Sequence, residues 1–262
     1  MPHTLPLSTN GQPPAGTPAM RVLVVASQKG GSGKTTLAGH IAVQAERAGA
    51  GPVALIDTDP QGSLAKWWNV REATAPSFIQ SVFTNLFQDL DTARAQGFRL
   101  VVIDTPPSVT KAIAEVVNHA DLVVVPTRPS PHDLRAVGAT VDIIEARRKQ
   151  MVFVLNAATA RAKITMEAAI ALSQHGTVAP VTVHNRLDFA ASMIDGRTVM
   201  EVDDTSRSSQ EIAELWNYLS QRLERTDTIG TGLLDEMPRG FGARVTNALG
   251  RPAPVFGRRA TA

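Results

Sequence analysis

Six residues, Gly30-Gly31-Ser32-Gly33-Lys34-Thr35, restrict this chain more than any others. They lie between a short β-branched run, RVLVVAS (Arg21–Ser27), and a helical stretch that opens at Lys34. A glycine-rich turn from strand to helix lets backbone N–H groups close around phosphate oxygens, and the helix N-terminus adds positive potential. In this pattern Lys34 reaches the β- and γ-phosphates and the Thr35 hydroxyl ligates Mg²⁺. Thr36 then helps to hold the α-phosphate. One residue is surplus to such a loop: Lys29, at its start.

The rest of the chain supplies the context that a phosphate loop requires. VALIDTD (Val53–Asp59), LVVID (Leu100–Asp104), LVVVPT (Leu122–Thr127) and MVFVLN (Met151–Asn156) are further short apolar runs. They are mostly continuous rather than alternating, as in strands buried on both faces. Helical stretches fall between them at Lys34–Ala48, Gly62–Arg71, Val109–Asn118, Asp133–Lys149 and Lys163–His175. This rhythm predicts an α/β fold: a mostly parallel, twisted sheet with helices on both faces, of the P-loop NTPase kind. Val178–His184 adds a candidate strand. Ser206–Arg225 reads as a long closing helix with Ile212, Leu215, Trp216, Leu219 and Leu223 on one stripe.

Composition removes several alternatives. The 262 residues include no cysteine, which excludes disulfides, thiolate iron–sulfur clusters and a cysteine nucleophile. No apolar run is long enough to span a bilayer, and the N-terminus lacks the layout of a signal peptide. Net charge is only +2, so any binding of polyanions has to come from a local basic face. Residues 1–19, rich in proline, glycine and small polar residues, read as a disordered extension to an ATPase domain spanning 20–225. Residues 226–262 form an arginine-rich tail, which reads either as a flexible solvated segment or as an arm for DNA, an anionic surface or a partner.

With Lys29 the loop reads K-G-G-S-G-K-T-T, and this resembles the deviant Walker A box of the ParA/MinD family. The resemblance runs from about Arg21 to Arg225 and is strongest to compact partition and positioning ATPases without a helix-turn-helix domain. It implies ATP and Mg²⁺ as ligands and a homodimer with two ATP molecules between the protomers. Lys29 would then act on the partner's nucleotide, a catalytic role shared with Lys34. Asp57 and Asp59, in D-x-D-P-Q-G-S, match the first switch. The resemblance gives Asp59 the task of positioning the attacking water and Asp57 a place in the Mg²⁺ and water shell. Asp104, after its apolar run, matches a Walker B metal acid, and Thr105-Pro106-Pro107-Ser108 matches the second switch. Asn156 matches the adenine-binding asparagine, or simply ends a strand. The stretch VPTRPSPHDLRAVG (Val125–Gly138) is similar to a proline-rich assembly segment of plasmid partition ATPases, and it equally suits an ordinary helix start.

The expected activity is Mg²⁺-dependent ATP hydrolysis that drives segregation or positioning of a cargo. By resemblance the ATP dimer binds non-specific DNA on the nucleoid, and a ParB-like or adaptor protein stimulates hydrolysis and releases it. Candidate DNA contacts are Arg161, Lys163, Arg186, Arg197, Arg207, Arg222 and Arg225, each alternatively a solvated surface charge. Localisation would be cytoplasmic and nucleoid-associated. Two rivals remain at this level. One is a MinD-like membrane-associated regulator anchored by the tail. The other is a metabolic P-loop ligase, for which no organic-substrate pocket is evident in the sequence.

Overall fold

A computed structural model describes residues 19–107 and 111–230, with the side chains of Lys111 and 226–230 excepted. The expected disordered extension, most of the arginine-rich tail and Ser108 of the second switch lie outside the described residues.

Seven strands form one parallel sheet: β1 (Arg21–Val25), β2 (Val53–Asp57), β3 (Ser77–Ile79), β4 (Leu100–Asp104), β5 (Leu122–Thr127), β6 (Met151–Leu155) and β7 (Thr177–Val178). Their spatial order is β3-β2-β4-β1-β5-β6-β7, and every pair is parallel. Strand side chains alternate between two layers. Leu23, Val25, Leu55, Val102 and Val124 face one side, while Val22, Val24, Ile56, Ile103 and Val125 face the other. Both faces are covered, so a continuous apolar run is what each central strand needs.

The first layer is built by α1 (Lys34–Arg47), α2 (Ser63–Asn69), α7 (Leu187–Ser192), α8 (Val199–Val202) and α9 (Arg207–Gly230). The second is built by α3 (Leu86–Ala95), α4 (Lys111–Asn118), α5 (Pro131–Ala146) and α6 (Lys163–Ser173). In α9 the expected stripe is the one that packs: Ile212, Leu215, Trp216, Leu219 and Leu223 are all buried. The helix runs on to Gly230, past the predicted end at Arg225.

Two expectations are revised. The candidate strand Val178–His184 is a two-residue strand, Thr177–Val178, followed by an irregular path along β6. Pro180 has no N–H to donate and breaks the ladder. Pairing resumes through Val183 N–H to Leu155 O and an isolated bridge between Ala158 and His184. The other revision is β3 and α3, which the sequence reading left without structure.

Because β1 is central, its C-terminal end lies beside those of β4 and β5, with β2 next along. That edge is where ligands of open α/β sheets bind. The loop after β1 and the acids after β2 and β4 meet there.

Candidate functional site

The phosphate loop leaves β1 and enters α1 through two left-handed glycines, Gly31 (φ 73°) and Gly33 (φ 91°). Gly33 also tolerates no side chain for want of room. A Cβ there would stand 2.1 Å from Nδ2 of Asn156. That same Nδ2 donates to the Ser32 carbonyl oxygen at 2.7 Å. Asn156, expected at the adenine, thus ties the end of β6 to the phosphate loop and leaves its Oδ1 outside that bond. It lines a cleft of about 180 Å³ with Gly31, Gly33, Thr36, His184, Arg186 and Phe189.

Lys34 is buried, and its Nζ reaches back to the Lys29 carbonyl oxygen at 3.5 Å. Burial lowers its pKa, against the opposing fields of Asp104 and Asp59. These two carboxylates are therefore close enough to matter to the phosphate lysine. Thr35 Oγ1 donates to Asp104 Oδ2 at 2.6 Å. The other oxygen of Asp104, Oδ1, is buried and has no hydrogen-bond partner among the described residues, and the same holds for Ser32 Oγ in the loop itself. Burial pushes the Asp104 pKa up to about 7, the Asp57 charge adds to that rise, and the Thr35 bond and Lys34 oppose it. A buried, half-satisfied carboxylate beside a threonine hydroxyl is a donor set that an incoming hard cation would relieve. The fit to Mg²⁺ is therefore good. No group of three or more His, Asp or Glu gathers as a metal cage among the described residues. Mg²⁺ typically takes one or two protein oxygens and completes its shell from phosphates and water.

Asp57, placed by the resemblance in the Mg²⁺ and water shell, accepts three backbone hydrogen bonds. Oδ1 accepts from Asp59 N (2.9 Å), and Oδ2 accepts from Leu64 N (2.9 Å) and Ala65 N (3.0 Å). Its carboxylate caps the first turn of α2, where a negative charge complements the helix dipole. Burial raises its pKa, and the three backbone donors counter that. Asp59 is half-exposed, turned in the D-P-Q-G segment by a bond from Gln61 N to its Oδ1 (2.9 Å). Thr58 was not singled out from the sequence. It donates from both its N–H (3.0 Å) and its hydroxyl (2.7 Å) to the Asp104 carbonyl, and so clamps β2 to β4 at the site. In the second switch, Thr105 Oγ1 bonds Val25 O (2.9 Å) at the root of the phosphate loop.

Lys29 is half-exposed. It lines a cavity of about 710 Å³ with Arg128, Ser130, His132, Thr159 and Ile164. The proline-rich stretch therefore lines the same cavity as Lys29. Ser130 does start a helix as well: it is the N-cap of α5 and accepts from Asp133 N at 3.2 Å.

The seven basic residues expected at DNA do not form one group. Arg161 and Lys163 stand at the start of α6 in the second helix layer, while Arg207, Arg222 and Arg225 belong to α9 in the first. Arg186 lies in the cleft beside Asn156, and Glu211 grips its guanidinium at 2.6 and 2.7 Å. Arg197 pairs with Asp195 (2.6 and 2.9 Å), Lys163 with Glu167 (3.4 Å), and Arg222 covers the Tyr218 ring.

A further residue of the site is His40, one turn past Thr36. Its ring is fully buried. Nδ1 donates to the Thr36 carbonyl oxygen (2.7 Å), and Nε2 accepts from Val199 N (3.2 Å), which fixes a neutral tautomer. The segment Met193–Val199 is thereby fastened to the phosphate helix.

Comparison with known proteins agrees with this geometry. Residues 23–199 match the CobQ/CobB/MinD/ParA nucleotide binding domain. A carboxysome distribution protein A from Halothiobacillus neapolitanus is 32% identical over 206 residues, 74% of this chain and 94% of that one. Two solved structures share the fold. A Cyanothece McdA–ATP complex has a TM-score of 0.65 at 15% identity, over 79% of this chain and 97% of that chain. Pyrococcus horikoshii MinD with Mg-ADP has a TM-score of 0.66 at 13% identity, over 79% and 98%. The chain belongs to the CobQ/CobB/MinD/ParA family of nucleotide-binding proteins.

Proposed function

We propose that this protein is a Mg²⁺-dependent ATPase that positions a cargo by cycling between an ATP-bound dimer on DNA and a released state. The observation that carries this is the pairing of Thr35 with Asp104 at 2.6 Å, with Asp104 Oδ1 unpartnered at the mouth of the phosphate loop. Bound there, Mg²⁺ would neutralise charge on the β- and γ-phosphates. Thr35 and Asp104 hold it. Lys34 and the loop amides orient the triphosphate. Asp59 positions the attacking water and accepts its proton. Asp57 acts through α2: its grip on Leu64 N and Ala65 N sets where the first switch stands.

Lys29 lines an open cavity, which suits a lysine that completes a partner's site. A cation delivered by the partner couples ATP to dimerisation. A closed dimer doubles any basic surface, and non-specific DNA affinity rises steeply with the number of phosphates contacted. Release follows when a ParB-like or adaptor partner stimulates hydrolysis. The relative that maintains carboxysome distribution makes a large protein body a fitting cargo, and the chromosome-partitioning relative makes a chromosome another.

The test is binding to random-sequence double-stranded DNA with Mg-ATPγS against Mg-ADP, at two salt concentrations. Tight, salt-sensitive binding in the ATPγS state alone is the expected result. Nucleotide-dependent dimers that bind no DNA in either state would overturn the DNA step.

A further inference from the structure

We propose that Arg128 is an additional phosphate-directed cation of the nucleotide site, locked in place by Asp133. The proposal rests on reading the Gly30–Thr35 loop as the ATP site. Arg128 follows β5, the strand next to β1, so the sheet itself brings it to the phosphate loop. Two of its three guanidinium nitrogens bond the same carboxylate: Nε to Asp133 Oδ1 at 3.0 Å and Nη2 to Oδ2 at 3.3 Å. Asp133 is 3% exposed and is itself fixed by the Ser130 hydroxyl at 2.5 Å. A guanidinium held through one edge points its remaining nitrogen in a set direction. That nitrogen, Nη1, lies 3.9 Å from where a side chain at Gly31 would begin. Gly31 belongs to the turn whose amides face the phosphates. Arg128 is thus aimed at the rim of the loop while keeping solvent access, and it shares its cavity with Lys29.

The competing account is local: Arg128 merely neutralises a buried carboxylate at the start of α5. The two differ in what they ask of the ligand. A phosphate-directed cation discriminates by phosphate number, whereas a helix-start ion pair treats all nucleotides alike. Asp133 is, on this reading, a positioning residue.

The experiment measures the affinity of the full chain for ATP, ADP and AMP, each with Mg²⁺, by calorimetry, with a melting curve for each variant. Arg128→Ala is expected to weaken ATP and ADP at least roughly tenfold while AMP changes little. Arg128→Lys is expected to restore part of that loss, and Asp133→Asn to keep a folded chain with a smaller loss of the same ordering. Equal weakening of all three nucleotides, or parental affinity for all three, overturns the inference. Should Arg128→Ala melt below the working temperature, Arg128→Lys carries the comparison under the same criterion. A parent chain that binds no nucleotide would instead refute the site beneath it.

Discussion

Arg71 Nη1 donates to the carbonyl oxygen of Gly196 at 2.5 Å, across a separation of 125 residues. The guanidinium is 1% exposed and also grips Glu201 at 2.7 and 3.0 Å. Gly196 has φ 81°, and a Cβ there would stand 2.6 Å from the Arg71 backbone nitrogen. Glu201 closes a capping box with Thr198 at the start of α8, and Val199 N–H reaches His40 on the phosphate helix. A chain of direct contacts therefore runs from the end of the first-switch helix to the phosphate loop's own helix. Gly196→Ala is expected to cost about 2–4 kcal/mol in denaturant unfolding, because left-handed strain adds to a backbone clash. A loss under 1 kcal/mol would mean that Arg71 moves aside without penalty.

Asp104 separates stability from activity. It is a buried carboxylate with one oxygen unpartnered, a feature that costs free energy until a cation arrives. Asp104→Asn is expected to raise the melting temperature of the nucleotide-free chain by a few degrees and to weaken Mg-ATP at least tenfold. ATP binding in EDTA should barely change. Asp59→Ala, by contrast, should bind Mg-ATP and dimerise yet turn over at least a hundredfold more slowly, as loss of a positioned proton acceptor implies. Parental turnover in Asp59→Ala would remove that residue from its role.

His40 imposes a pH dependence on stability. Burial pushes its pKa down to about 4, against the Thr36 carbonyl bond and Glu201, which raise it, with Arg71 lowering it further. In the unfolded chain it titrates near 6.5, so between pH 6.5 and 4 the unfolded state binds more protons. Stability is full above about pH 6.5 and falls as the pH drops through this window. Between pH 7.5 and 5 the loss traceable to His40 is on the order of 2 kcal/mol. His40→Asn should start less stable and show a flatter pH profile over the same range. An unchanged profile would mean that other groups govern acid sensitivity.

What could be read in advance was what depends on neighbours in sequence. The glycines, Lys34 and Thr35 act through local backbone geometry, and each central strand announced itself by burial on both faces. Three kinds of feature were illegible. The edge strand β3 is only Ser77-Phe78-Ile79, too short to show a period, and α3 is a short helix, half of it polar, whose buried stripe is just Leu86, Leu90 and Ala93. The resemblance gave Asp57 a place in the Mg²⁺ and water shell; that α2 turns back so that two of its amides meet that carboxylate is visible only in the fold. Arg186 was placed among surface cations because its partner, Glu211, lies 25 residues away on α9. The reason for a glycine at 196, the close approach of Arg71, also required the structure.

The same pairings decide which arginines can serve DNA. Arg197 is held by Asp195, and Arg186 by Glu211 inside the cleft beside Asn156, so neither offers an uncompensated charge to a phosphate backbone. Arg207 and Arg225 are exposed on one helix, α9. Each phosphate contact contributes a slope of about 0.9 in log affinity against log salt. Arg207→Ala with Arg225→Ala, which removes two arginines from each protomer, is therefore expected to reduce the slope for the proposed ATPγS-bound dimer by up to about 3.6, with dimerisation intact. Arg197→Ala should leave the slope where it was. The reverse result, with Arg197 controlling the salt dependence, would mean that the Asp195 pair opens on DNA and that the binding face lies at the Met193–Val199 segment rather than along α9.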